Sequence, residues 1–160
     1  MKPKDGGVEF TPAKPFTGQT PKLGYIITDD SGEKATSTVE VTVTPVTPTA
    51  VDDRSRTTPD TPVVIPVLDN DIPGNPKVPS NPTTVVIIDP ATKQPEKAVI
   101  IPGEGSYIVD PSGDISFTPA PGFDGSGTPL RYQVLDANGT MAAATLTVGD
   151  ILPITGFGMV

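Results

Sequence analysis

The feature that most restricts this chain is that it repeats itself. FTPAKPFTG at Phe10–Gly18 returns as FTPAPGFDG at Phe117–Gly125. A single ungapped offset of 107 residues lays residues 6–41 on residues 113–148, with 14 of the 36 positions identical. Phe10 meets Phe117, Leu23 meets Leu130, Tyr25 meets Tyr132, Asp29 meets Asp136 and Gly32 meets Gly139. A period of this length is one small domain, not a solenoid unit. Only one full period fits, at residues 44–150. Residues 1–43 match just the last part of a unit, and residues 151–160 lie beyond the repeat. The chain reads as a piece of a longer tandem array.

The chemistry on offer is narrow. There is no His, no Cys and no Trp, which removes His–Cys metal centres, cysteine nucleophiles and Ser-His-Asp triads. A net charge of −8 without a basic patch argues against nucleic acid as a partner. The 21 prolines and 16 glycines punctuate apolar runs instead of replacing them, the pattern of a folded chain with many turns.

Those runs have the period of β-structure. In LGYIITD and LRYQVLD, Leu23, Tyr25 and Ile27 and their counterparts Leu130, Tyr132 and Val134 alternate with a second face. ATSTVEVTV and AAATLTV alternate likewise, as half-buried strands do. DDSG and DANG between them supply Asp, Asn and Gly for hairpin turns. Further strands are expected at Val63–Leu68, interrupted by Pro66 and so at an edge or bulge, and at Thr83–Asp89, Lys97–Ile101, Tyr107–Asp110 and Ile115–Pro119. About seven short strands in 107 residues predict an all-β, two-sheet antiparallel sandwich of the Ig or cadherin kind. Its expected core is Val64, Val67, Val86, Ile88, Ile108, Ile115, Phe117, Leu130, Tyr132, Val134, Leu146 and Val148. The partial repeat should hold strands near Val8–Thr11, Leu23–Thr28 and Ala35–Val43 without the sheet that would cover them. VTPVTPTA, Val43–Ala50, is the semi-rigid junction between repeats.

AVDDRSRTTPDTPVVIPVLDND at the opening of the unit and GDISFTPAPGFDGSGTPLRYQVLDANGTMAAATLTV at its close resemble the fibril repeats of CshA-type cell-wall adhesins. They resemble more loosely the cadherin-like and Ig-like repeats of bacterial surface proteins. The resemblance implies a structural module in the stalk of a surface fibril. Its alternative is a repeat that itself binds a host protein or glycan, and a more distant one is an accessory domain of a carbohydrate-active enzyme. LPITG, formed by Leu152, Pro153, Ile154, Thr155 and Gly156, is similar to the sortase sorting motif. By that likeness the Thr155–Gly156 bond is cut and Thr155 is joined to the wall, which makes sortase and peptidoglycan partners alongside neighbouring repeats. Phe157–Val160 is short against the roughly 20 apolar residues that span a bilayer, so membrane contact is expected only through a sorting segment not present here.

Four sharper readings compete with plain structural ones. Asp52, Asp53, Asp69, Asn70 and Asp71 offer hard oxygen ligands for calcium, yet they lack the Asp-x-Asp-x-Asp-Gly loop and its later Glu; LDNDIPG reads more simply as a strand end and a turn. No cofactor is expected, calcium being the alternative. Lys93 and Lys97 are the lysines that an intramolecular isopeptide bond would use, but both sit in a polar segment. Phe16 and Phe123 would serve either as a sugar platform or as caps on a core. Paired carboxylates for glycoside hydrolysis fall mostly at turns, and no enzyme is expected.

Overall fold

A computed structural model of the chain describes residues 2–14 and 16–149. The chain divides into two compact units, Met1–Val46 and Thr47–Val160. Among the described residues there is no helix.

The first unit contains β1 (Lys2–Lys4), β2 (Gly7–Glu9), β3 (Gly18–Gln19), β4 (Leu23–Thr28), β5 (Lys34–Val39) and β6 (Thr42–Val43). They pair antiparallel two by two, β1 with β2, β3 with β6 and β4 with β5. The stretch expected as one strand from Ala35 to Val43 is thus broken at Glu40 and Val41, between β5 and β6. At the break the Thr20 N–H donates to Val41 O at 2.9 Å, and the Thr20 hydroxyl accepts from Val41 N at 3.0 Å.

The second unit runs β7 (Asp53–Ser55), β8 (Val63–Ile65), β9 (Ser80–Ile88), β10 (Pro95–Glu96), β11 (Ala98–Ile101), β12 (Gly105–Val109), β13 (Ile115–Pro119), β14 (Leu130–Asp136) and β15 (Met141–Val148). One sheet has the order β10-β9-β14-β15-β7 and the other β11-β12-β13-β8. Their facing sides enclose one core that includes Ile65, Val85, Ile87, Tyr107, Phe117 and Leu130. β8 stops before Pro66 and lies on a sheet edge, where a missing N–H leaves no ladder bond unmade. The expected seven strands become nine. β7 and β10 are short and polar, and β7 is exceptional in pairing parallel, with β15.

Eight of the twelve expected core residues are buried: Val67, Ile115, Phe117, Leu130, Tyr132, Val134, Leu146 and Val148. The other four have the wrong phase. Val64 is 58% exposed and Ile108 52%, while Ile65, Tyr107 and Val109 point inward. Val86 and Ile88 are half-buried beside fully buried Val85 and Ile87. In PVVIP, TTVVII and YIV both alternating sets are apolar, so the period is visible but the face is not, and a one-residue slip exchanges the faces. Where apolar and polar residues alternate cleanly, as in β14 and β15, the expected face is the buried one.

Gly105 shows how tightly the core closes. With φ at +152°, a Cβ there would lie 2.3 Å from Thr118 O and 2.8 Å from Phe117 Cε2. Phe117 in turn stacks on Tyr107 with ring centroids 4.5 Å apart.

Candidate functional site

Three of the five residues read as candidate ligands, Asp53, Asn70 and Asp71, converge, and Asn70 and Asp71 bond the chain's own backbone. In DDRS, Asp53 is the buried residue of β7, with Arg54 pointing outward. The strand lies parallel to β15 in the register Leu146↔Asp53, Thr147↔Arg54 and Val148↔Ser55. Gly149 N–H donates to Ser55 O at 2.9 Å, and Asp52 Oδ1 accepts from Thr145 N at 2.9 Å. The first strand of the unit is therefore fastened along its whole length to the closing residues of the last.

Beneath β7 lies a polar cluster on the inner side of β14. The Tyr132 side chain is fully buried, and its hydroxyl lies 3.1 Å from Val67 O, 3.2 Å from Val51 O and 3.4 Å from Asp71 Oδ1. Asp71 Oδ1 also accepts from Val51 N at 2.9 Å, and Asn70 Nδ2 donates to Asp52 O at 3.4 Å. Thr49 and Ile72 exchange both backbone bonds next to it, at 2.8 and 2.9 Å. Thus VLDND after β8 holds the entry to β7, and Tyr132 ties both to the central hairpin.

The cluster carries charge under strain. Asp53 Oδ2 and Asp71 Oδ2 are buried without a hydrogen-bond partner. Burial pushes the Asp53 carboxyl up to about 6, against the opposing pull of Tyr132 and Asn70 and with the help of Asp71 and Asp52. Burial likewise raises Asp71. Desolvation is the dominant cause in both, as expected for carboxylates facing apolar surroundings. Of the five expected ligands, Asp53, Asn70 and Asp71 meet here. Asp52 turns to β15, and Asp69 is exposed in the turn after β8, where its N–H donates to Pro66 O. Among the described residues no three carboxylates group as metal ligands would.

The lysines and aromatics are placed as structural parts. Lys97 Nζ donates to Thr83 O at 2.9 Å and to Val85 O, bridging carbonyls of β9. Lys93 occupies a left-handed turn position, φ +63°, in the loop after β9. Phe123 packs against the core, whereas Phe16 is exposed and meets Phe10 edge-on at 6.4 Å between centroids. A cavity of about 370 Å³ beside β7 is lined by Arg54, Ser55, Arg56, Ser126, Thr147 and Gly149, with no carboxylate among the described residues. Leu152, Pro153, Ile154, Thr155 and Gly156 lie outside the described residues.

Sequence reading missed the role of Glu104. Its carboxylate accepts from both Thr128 N, at 2.7 Å, and the Thr128 hydroxyl, at 2.6 Å, pinning the loop before β14 to the hairpin of β11 and β12. Nothing in GEGS marks a contact across 24 residues.

The residues that build this sandwich and its fastened terminal strands, 45–149, match the family described as the surface adhesin CshA repetitive domain. The chain belongs to that family. No curated protein matches the chain. The CshA repeat is an adhesin repeat of cell-surface proteins, structural or adhesive in type. The hydrogen bonds between β7 and β15 and the polar cluster under them are the candidate site of this repeat.

Proposed function

We propose that this CshA repeat is a load-bearing spacer in the stalk of a surface fibril, with no catalytic step and no cofactor of its own. The observation that carries the reading is the parallel pairing of β7 with β15. Parallel strands run in one direction, so the chain enters at one end of the pair and leaves at the other. Tension along a tandem array then slides the two strands past each other and loads their bonds together. An antiparallel pair of terminal strands would open one bond at a time. Asp52, Ser55 and Gly149 extend the fastening beyond the ladder itself.

Attachment to the wall rests on Leu152–Gly156 as a sorting motif, whose Thr155 becomes the wall-linked residue after sortase cleavage. Neighbouring repeats and peptidoglycan are then the partners, and the cell wall is the location. Pulling one complete repeat from its two ends tests the spacer reading: it should yield in one event, and gradual extension from the β7 end would refute it.

A second reading has one observation in its favour. On the outer face of the four-stranded sheet, Val64, Ser116, Ile108 and Ala98 form a cross-strand row, with Ile100 beside it, and Val64, Ile100 and Ile108 are exposed. An exposed apolar row of this kind suits contact with a host protein or glycan. Loss of surface binding on Ile108→Asp with stability unchanged would favour this reading over the spacer.

A further inference from the structure

The family match begins at residue 45, yet residues 13–41 reproduce the backbone pairing and turns of the closing part of the repeat. The register of β4 on β5 pairs Leu23 with Val39, Tyr25 with Ser37 and Ile27 with Ala35. Shifted by 107, these are the pairs Leu130 with Leu146, Tyr132 with Ala144 and Val134 with Ala142 that join β14 to β15.

The turns obey the same shift. Asp29 N–H bonds Glu33 O and Gly32 N–H bonds Asp29 O, as Asp136 bonds Thr140 and Gly139 bonds Asp136, each at 2.9–3.0 Å. Asp29 Oδ1 accepts from the N–H groups of Ser31 and Glu33, as Asp136 Oδ1 accepts from those of Asn138 and Thr140. Thr20 to Val41 and Phe16 to Ala13 likewise match Gly127 to Val148 and Phe123 to Ala120.

What differs is cover. Leu130, Tyr132 and Val134 are 1%, 0% and 1% exposed, against 42%, 39% and 60% for Leu23, Tyr25 and Ile27. In the complete repeat the covering core includes Ile65, Val67, Val99, Tyr107 and Val109, all from a stretch with no counterpart in residues 6–43. The face therefore has the register, turns and apolar residues of a buried hairpin, and its complement is already present once in this chain.

We propose that the face formed by Leu23, Tyr25 and Ile27 on β4 and Val39 on β5 is a docking surface for the opening part of a CshA repeat, the strands of both sheets equivalent to those in residues 44–112. Together the two make a second complete sandwich. The proposal rests on family membership and on the 107-residue register, and is independent of the load-bearing reading.

The test places residues 44–112 directly ahead of Gly6 in the full chain, so that Gly6 follows Ser112 as Gly113 does. Amide hydrogen exchange is compared in parent and extended chains at low micromolar concentration, with residues 47–149 as the internal control for a folded chain. Exchange across Leu23–Val39 should slow by at least about 100-fold in the extended chain, approaching that of β14 and β15, because opening a packed sandwich draws on its global stability whereas an uncovered hairpin opens locally. Tyr25→Ala in the extended chain should reverse that protection, and in the parent it should change nothing. Unchanged exchange in the extended chain beside a protected control overturns the proposal. So does a parent already protected at Leu23–Val39. Protection of the parent that rises with concentration also overturns it, by identifying a second copy as the occupant.

Discussion

Tyr132 and Tyr107 are both buried to within 1% in the same core, and removing the hydroxyl should have opposite consequences at the two positions. The Tyr132 hydroxyl serves the buried Val67 carbonyl at 3.1 Å and reaches Val51 O and Asp71. Tyr132→Phe leaves the buried Val67 carbonyl without the hydroxyl nearest to it, at a cost of about 1–3 kcal/mol. For a domain of this size about 2 kcal/mol lowers Tm by roughly 10 °C. The Tyr107 hydroxyl is buried with no hydrogen-bond partner, and burial together with the Glu104 charge pushes its pKa up. Tyr107→Phe removes an unpaired polar atom and keeps the ring against Phe117, so stability should hold or rise by as much as about 1 kcal/mol. Tyr25→Phe, the counterpart of Tyr132 on an exposed face, should stay within about 0.5 kcal/mol of the parent. Urea unfolding followed by far-UV circular dichroism, with unchanged m-values as the check on the two-state assumption, reads all three. Equal losses at Tyr132 and Tyr107, or no loss at Tyr132, would refute the hydrogen-bond account of the cluster.

The raised Asp53 carboxyl sets a pH dependence of definite sign. Its folded pKa of about 6 lies above the ordinary 3.8, so its contribution is fully present below about pH 4 and is lost as pH rises through about 6, at most about 3 kcal/mol in all. Acidification from pH 7 to 4.5 should therefore raise Tm, and Asp53→Asn should flatten that dependence while raising Tm at pH 7; an unaltered slope in Asp53→Asn would contradict the assignment. At lower pH the turn at Asp110 works the other way, since its bond from the Ser112 hydroxyl holds its carboxyl below the ordinary value, and thermal melts should show stability falling again as pH drops through that lowered pKa. Gly105→Ala should cost at least about 3 kcal/mol, the upper range of overpacking, because the added methyl meets the backbone of β13; a Tm near the parent's would show that the strand can shift. Purified sortase with an amine acceptor should cleave the chain after Thr155, and Thr155→Ala should abolish the cleavage, while an uncleaved parent ends the sorting-motif reading.

The central hairpin was legible because its residues say one thing at every level. β14 and β15 alternate cleanly, DANG supplies the turn, and the 107-residue echo at β4 and β5 repeats both. The opening half was legible only as strands. Runs such as TTVVII and YIV hide their inward face, since either phase buries apolar side chains and the choice depends on which sheet they meet. β7 was invisible: it is three residues long, two of them charged, and its partner lies more than 90 residues away in sequence. The acidic cluster was found by composition, but its work was not, because Asp71 accepting from Val51 N and Asp52 from Thr145 N depend on non-local pairing. Tyr132 was placed in the core for its ring, and only its neighbours reveal that its hydroxyl matters as much.

The load-bearing claim is tested most directly by single-molecule force spectroscopy on the full chain with handles placed in two geometries. Handles at Thr47 and Gly149 slide β7 along β15, and handles at Pro129 and Gly149, at the open end of the hairpin where Leu130 pairs with Leu146, peel β15 from β14. The account predicts that the first geometry resists the higher force. It also predicts that the repeat then yields in one event, releasing about 3.3–3.6 Å of contour per residue less the folded span. Equal rupture forces in the two geometries, or low-force stepwise extension that begins with β7, would contradict it.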